Sequence, residues 1–158
     1  MNELSDNPQQ GHDAYLAGII DGEGSITRSS GNVRVQVTNT QRVLLELFQD
    51  KFGGSIYSYA GHNNGGKVIY SWQVSGRSCR GVLEATIPYL LLKRDKALWG
   101  LLALDTKPSE RGVVLDNLVN GVPFSVSAAE TEWRDVPTDD ATVRSAVDDK
   151  PADVSRND

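Results

Sequence analysis

The clearest pattern in the chain is Val33-Arg34-Val35-Gln36-Val37-Thr38, a strict alternation of apolar and polar residues. Period two predicts a β-strand with Val33, Val35 and Val37 on a core and Arg34, Gln36 and Thr38 on the opposite face. Ser30-Gly31-Asn32 supplies a hairpin turn before it, which makes Ser25–Ser29 the partner strand. A second alternation runs from Lys67 to Val74, with Val68, Tyr70, Trp72 and Val74 on one side. Across the glycine-rich loop 61–66 it pairs with Ser55–Tyr59. Period 3.6 takes over elsewhere. A helix is predicted from Asp13 to Gly22, with residues 1–12 as a flexible arm. A second covers Gln41–Lys51, capped by Thr40, with Val43, Leu44, Leu47 and Phe48 as its apolar stripe. A third opens at Ser75 or Gly76 and stops before Pro88. A fourth covers Leu91–Leu104, with Leu91 and Leu92 among its packing residues.

The order α-β-β-α-β-β-α-α predicts an α+β domain over residues 13–104, an antiparallel sheet with helices on one face. The other face is polar and includes Thr27, Ser29, Arg34, Gln36, Thr38, Lys67, Ser71 and Gln73. After Leu104 the pattern fades. Val113–Val119 is a candidate short element, and 105–158 is expected to be a largely disordered tail.

Charge sharpens that division. The net charge of −5 argues against a nucleic-acid binder, but it is unevenly spread. Residues 1–104 hold 10 Lys and Arg against 9 Asp and Glu, whereas 105–158 hold 6 against 12. The acidity belongs to the tail, either a solubilising appendage or a competitor for a basic face. No run approaches a membrane span. The polar N-terminus is not a secretory signal, so an intracellular protein is expected. Cys79 has no cysteine to pair with and is expected to be a buried small residue. His12 and His62 form no zinc set.

The first helix carries the candidate chemistry. Ala14, Gly18 and Gly22 recur every four residues, a stripe of small side chains. Glycine inside a helix costs about 1 kcal/mol relative to alanine, so the stripe calls for a close-packed partner. With one such helix per chain, the partner is a symmetry mate. Asp21 and Glu23 sit at the helix's C-terminal end, where the dipole disfavours carboxylates unless a cation is near. Carboxylate and free carbonyl oxygens suit Mg²⁺. Gly22-Glu23-Gly24 also reads as a plain helix cap and tight turn. An EF-hand start at Asp21 fails, because Ile26 stands where glycine is needed and Asn32 where the bidentate Glu is needed.

Leu16-Ala17-Gly18-Ile19-Ile20-Asp21-Gly22-Glu23-Gly24 resembles the LAGLIDADG motif of homing endonucleases. Val37–Arg42, Phe52–Ile56 and Ile87-Pro88-Tyr89-Leu90 with Lys93 resemble further elements of that family, in the same order. The resemblance implies the family's αββαββα saddle and a homodimeric, site-specific DNA endonuclease using Mg²⁺ or Mn²⁺. It implies a long pseudo-palindromic duplex target cut with short 3′ overhangs, as in intron homing. Glu23 would bind metal, with the Gly22 carbonyl beside it. Lys93, Asn39, Gln41 and Arg42 would be the accessory catalytic residues. Ala14, Ala17, Gly18, Asp21 and Gly22 would form the dimer interface, Asp21 in a structural role. The polar sheet face would dock in the major groove. An RNA maturase or a non-cleaving DNA-binding protein of the same fold is the alternative. A non-catalytic protein-interaction domain is the more distant one.

Overall fold

In a computed structural model, residues 7–61 and 65–125 are described. Helix α1 (Pro8–Glu23) leads into strands β1 (Gly24–Ser29) and β2 (Asn32–Asn39). Helix α2 (Arg42–Phe52), strands β3 (Ser55–Ala60) and β4 (Val68–Ser75), and a 3₁₀ turn at Gly76–Ser78 follow. Helices α3 (Cys79–Thr86), α4 (Arg94–Asp105) and α5 (Arg111–Asn120) complete the fold.

The strands form one antiparallel sheet in the order β1-β2-β4-β3. The two long alternating strands, β2 and β4, are its interior. Their register is set by which face is buried. Val33, Val35 and Val37 are fully buried with Trp72 and Val74. The β1–β2 turn is a two-residue loop in which both Ser30 (φ 50°) and Gly31 (φ 73°) adopt the left-handed backbone that matches strand twist. The helices cover one face, as the alternation predicts. Trp72 stacks on Phe48 of α2 with ring centroids 4.9 Å apart, and its indole N–H donates to the Gly53 carbonyl at 2.8 Å.

The boundaries differ from expectation at both ends of the domain. Helix α1 begins at Pro8, not Asp13, because Asn7 caps it: its side-chain oxygen accepts from the Gln9 amide at 3.1 Å, and proline suits the first helical position. Asp13 instead pairs with Lys51 of α2. Residues 8–12 are therefore helix rather than arm, and 1–6 lie outside the described residues. At the other end, residues 105–125 belong to the folded unit. Helix α5 packs on α4 and β1 through buried Val114, Leu115 and Leu118. Arg111 ties it to Asn32 at 2.7 Å, and Arg28 pairs with Asp116 at 2.5 Å. Beyond it, Phe124 meets Trp99 edge-on at 4.9 Å, and the Trp99 indole N–H donates to the Val122 carbonyl. The expected disorder after Ser127 falls outside the described residues. In α2, Leu45 and Phe48 are buried while Val43 is exposed, so the stripe is rotated from the expected one. Leu91 and Leu92 precede α4 and are highly exposed instead of packed.

Candidate active site

The C-terminal end of α1 gathers the chemistry. Helix ends leave carbonyls without intrahelical partners. Here the Gly24 amide donates to the Ile20 carbonyl, and the Lys93 ammonium donates to the same carbonyl at 2.8 Å and to that of Asp21. A cation on the negative end of a helix dipole is favourable. Asp21 completes a reciprocal clamp. Its carboxylate accepts the Leu91 amide at 2.7 Å, the Leu92 amide at 3.2 Å and the Lys93 amide at 3.0 Å. The helix end and the loop before α4 are locked together. Gly24 makes the tight exit possible: a Cβ there would lie 2.8 Å from the Ile20 Cα.

Glu23, one residue before that exit, is exposed. Its Oε2 accepts from the Asn39 side-chain amide. Asn39 is itself oriented, because its Oδ1 accepts the Gln41 amide at 2.7 Å. The end of β2 thus holds the carboxylate at the end of α1. Three of the predicted catalytic residues, Glu23, Asn39 and Lys93, therefore converge on one helix end. Lys93 does so as a helix-end clamp, its ammonium on backbone carbonyls. Gln41 contributes its backbone amide to the arrangement. Arg42 is turned away: its guanidinium pairs with Glu46 one turn along at 2.9 Å and lies over the Tyr70 ring.

Among the described residues no group of three His, Cys, Asp or Glu lies close enough to hold a metal. The donors that remain are hard oxygens, the Glu23 carboxylate and the Gly22 carbonyl at the helix end. Mg²⁺ is held in this way elsewhere, by one or two carboxylates plus substrate phosphates and water. The donor set fits such an ion as a half-site.

The small-residue stripe of α1 is open. A Cβ added at Gly18 or Gly22 would meet nothing within 4 Å, so nothing among the described residues explains either glycine. The depression there is lined by Ala14, Tyr15, Gly18, Ile19, Gly22 and Leu44, with Glu23 at its end. Ala17 does not belong to this face. It is fully buried in the core, one helical position from the stripe, and Asp21 faces the α4 loop.

The sheet face away from the helices is polar, as its alternation predicts. Thr27 and Lys67 are exposed, and Ser29, Arg34, Gln36, Thr38 and Gln73 are half-buried. Ser71 is only 5% exposed. Its hydroxyl bonds Gln36 at 2.9 Å and Thr38 at 3.4 Å, which makes it a support for its neighbours. Two residues not anticipated from the sequence join this face: Tyr57, opposite Ser71, and Tyr59, opposite Ile69, both about half exposed. Their period-two spacing in Ser55–Tyr59 was the available signal.

A family model described as a LAGLIDADG-like domain matches residues 11–88, which takes in most of α1 and both hairpins. Residues 11–88 are a LAGLIDADG-like domain. A structure of the homing endonuclease I-CvuI in complex with its target in the presence of Ca matches with a TM-score of 0.57 and 26% identity, covering 70% of this chain and 82% of that one. I-CvuI with the I-CreI target in the presence of Mg, its DNA not cleaved, matches at 0.54 and 25% identity over the same shares. The archaeal intron-encoded homing endonuclease I-Vdi141I, complexed with DNA, shares the fold at 0.50 and 19% identity, covering 61% of this chain and 69% of that one. Among curated proteins none matches by sequence. The motif helix of the LAGLIDADG fold is α1, and its second acid is Glu23. Among the described residues, no helix is long and apolar enough to cross a membrane.

Proposed function

We propose that the protein is a site-specific, double-strand DNA endonuclease that works as a homodimer with Mg²⁺ or Mn²⁺. One observation carries the reading. Glu23 projects at the end of an open, small-residue helix face that the described residues leave uncovered. Pairing two α1 helices along Ala14, Gly18 and Gly22 would bring two Glu23 carboxylates together. One chain supplies half of the acids such a site needs. The I-CvuI complexes, with targets in the presence of Ca or Mg, support the substrate class and the use of a divalent ion.

A bound ion would lower the pKa of attacking water and neutralise charge on the phosphate. The Glu23 carboxylate and Gly22 carbonyl would hold it. Asn39 keeps Glu23 facing outward through its side-chain amide, which costs no reorganisation when the substrate arrives. Lys93 fixes the carbonyls behind Glu23 and adds positive charge near a polyanion. The polar sheet faces of the two chains would lie along a long, pseudo-palindromic duplex, because two identical faces read equivalent half-sites.

The test is a cleavage screen on a randomised duplex library with Mg²⁺, comparing wild type with Glu23→Gln. Wild type should release cut fragments of a defined sequence. The variant should bind that sequence and leave it intact. Equal cutting by both proteins would overturn the assignment of Glu23. Binding of structured RNA in place of any duplex would move the protein to the maturase reading.

A further inference from the structure

We infer that Arg34 is a specificity-determining residue that recognises a guanine in each half of the DNA target. This inference rests on the proposed DNA-binding function and names the base chemistry its sheet face would read. The interior strands β2 and β4 form the floor of that face, and the outward positions of β2 are Arg34, Gln36 and Thr38. Gln36 and Thr38 are tied to Ser71. Arg34 is the only charged side chain among the three. It lies opposite Thr27 of β1 and Ser75 of β4, both short hydroxyl side chains.

Its bonding state and burial together single it out: Arg77 and Arg94 also lack an acceptor among the described residues but are exposed, and Arg111, whose Nε is likewise buried and unpartnered, bonds through its terminal nitrogens. Arg28 pairs with Asp116, Arg42 with Glu46, Arg80 with Glu84 and Asp105, and Arg111 donates to Asn32 and Thr106. Arg34 has no acceptor among the described residues. Its Nε is sealed from solvent without a hydrogen-bond partner. The two terminal nitrogens are neither sealed nor bonded among the described residues, so they are the donors left for an acceptor outside the chain, and such a contact would offset the cost of the buried N–H beside them. The Nε end of Arg34 is buried on an interior strand, so the head sits on the floor of the face rather than at a rim. Such a pre-oriented fork matches the paired O6 and N7 acceptors of guanine in the major groove. A phosphate contact suits the rim better, where Lys67 sits at the end of β4.

Arg34 is also remote from the cutting group. Five residues of strand separate it from Asn39, about 17 Å at 3.4 Å per residue. An effect of Arg34 on base preference is therefore separable from an effect on Glu23.

The experiment selects binding sites from a randomised duplex library with the full chain carrying Glu23→Gln, which binds without cutting. Arg34, Arg34→Lys and Arg34→Ala are compared, and thermal melts verify that each variant folds. The parent should enrich guanine at one symmetry-related pair of positions. Arg34→Lys keeps the charge and loses the fork, so it should reduce that guanine preference about 5- to 100-fold per half-site while leaving the other positions and the salt dependence unchanged. Arg34→Ala should lose the preference as well. A guanine preference that survives Arg34→Ala overturns this inference alone. So does a uniform loss of affinity in Arg34→Ala that lysine restores, which marks a phosphate contact. Failure of the parent to enrich any duplex overturns the proposed function and this inference with it.

Discussion

Asp21 and Glu23 are equivalent on paper, two acids in one motif, and the structure separates them in a way that stability can measure. Replacing Asp21 with alanine removes the acceptor of three amide hydrogen bonds, from Leu91, Leu92 and Lys93. Hydrogen bonds to a charged group contribute about 1.5–3 kcal/mol each when well formed. Several effects reduce the sum. The carboxylate is half-buried, the Leu92 bond is long at 3.2 Å, and the freed amides regain water. The helix dipole opposes a carboxylate here by about 0.3–1 kcal/mol. The expected net loss is about 2–4 kcal/mol, a large part of a typical domain's stability. At fixed protein concentration that is a fall in Tm on the order of 10 °C. Urea and thermal unfolding followed by circular dichroism read it directly. Lys93→Met should also destabilise, and the double variant should lose less than the two single losses added, because both residues secure one joint. Glu23→Gln should stay within about 0.5 kcal/mol of wild type. If Asp21→Ala melts within 1–2 °C of wild type, roughly the scale of a surface substitution, the clamp is not structural and the division of labour between the two acids fails.

Two further outcomes follow from the helix face and the core. A Cβ at Gly18 meets no atom of the described residues within 4 Å, so the isolated chain should keep its fold in Gly18→Leu. Light scattering should show wild type at twice the chain mass and the variant at the chain mass, and a dimeric variant would refute pairing through α1. Burial pushes the Cys79 thiol up to about 11 from 9.0, against a smaller lowering by the Val35 backbone. Its contribution to stability is complete below pH 9.0, where both states are neutral, and is lost as pH rises toward 11 because the unfolded thiol ionises first. Stability of wild type should fall by on the order of 2 kcal/mol across that window through this group, a component missing in Cys79→Ala. An identical alkaline profile for both would contradict it.

Much of this architecture was legible because it rests on periodicity. The alternation of Val33, Val35 and Val37 set the register of β2, and the small-residue spacing of Ala14, Gly18 and Gly22 marked the open face of α1. What escaped the sequence depends on contacts between distant segments. Helix α5 has a short apolar face, Val114, Leu115 and Leu118, and it is recognisable only once α4 and β1 lie beneath it. Asn7 was hidden behind Asp13 as the more obvious cap. Ala17 shares the small side chain of the pairing stripe, but its angular position turns it into the core. Lys93 was expected at the chemistry. It does reach the helix end, though its partners are carbonyl oxygens that no residue type advertises. Arg42 was misplaced because Glu46, four residues on, offers a nearer partner.

Strand β2 carries Arg34, Gln36 and Thr38 on its outer face and ends on Asn39, whose amide holds Glu23. Under the proposed function, recognition and hydrolysis are thus joined by a single stiff rod a few residues long. A strand displaced by a mismatched step would carry Asn39 with it, and the carboxylate would lose its aim. Fidelity in such a molecule would not be confined to binding: a poorly matched sequence could be held and still be cut slowly.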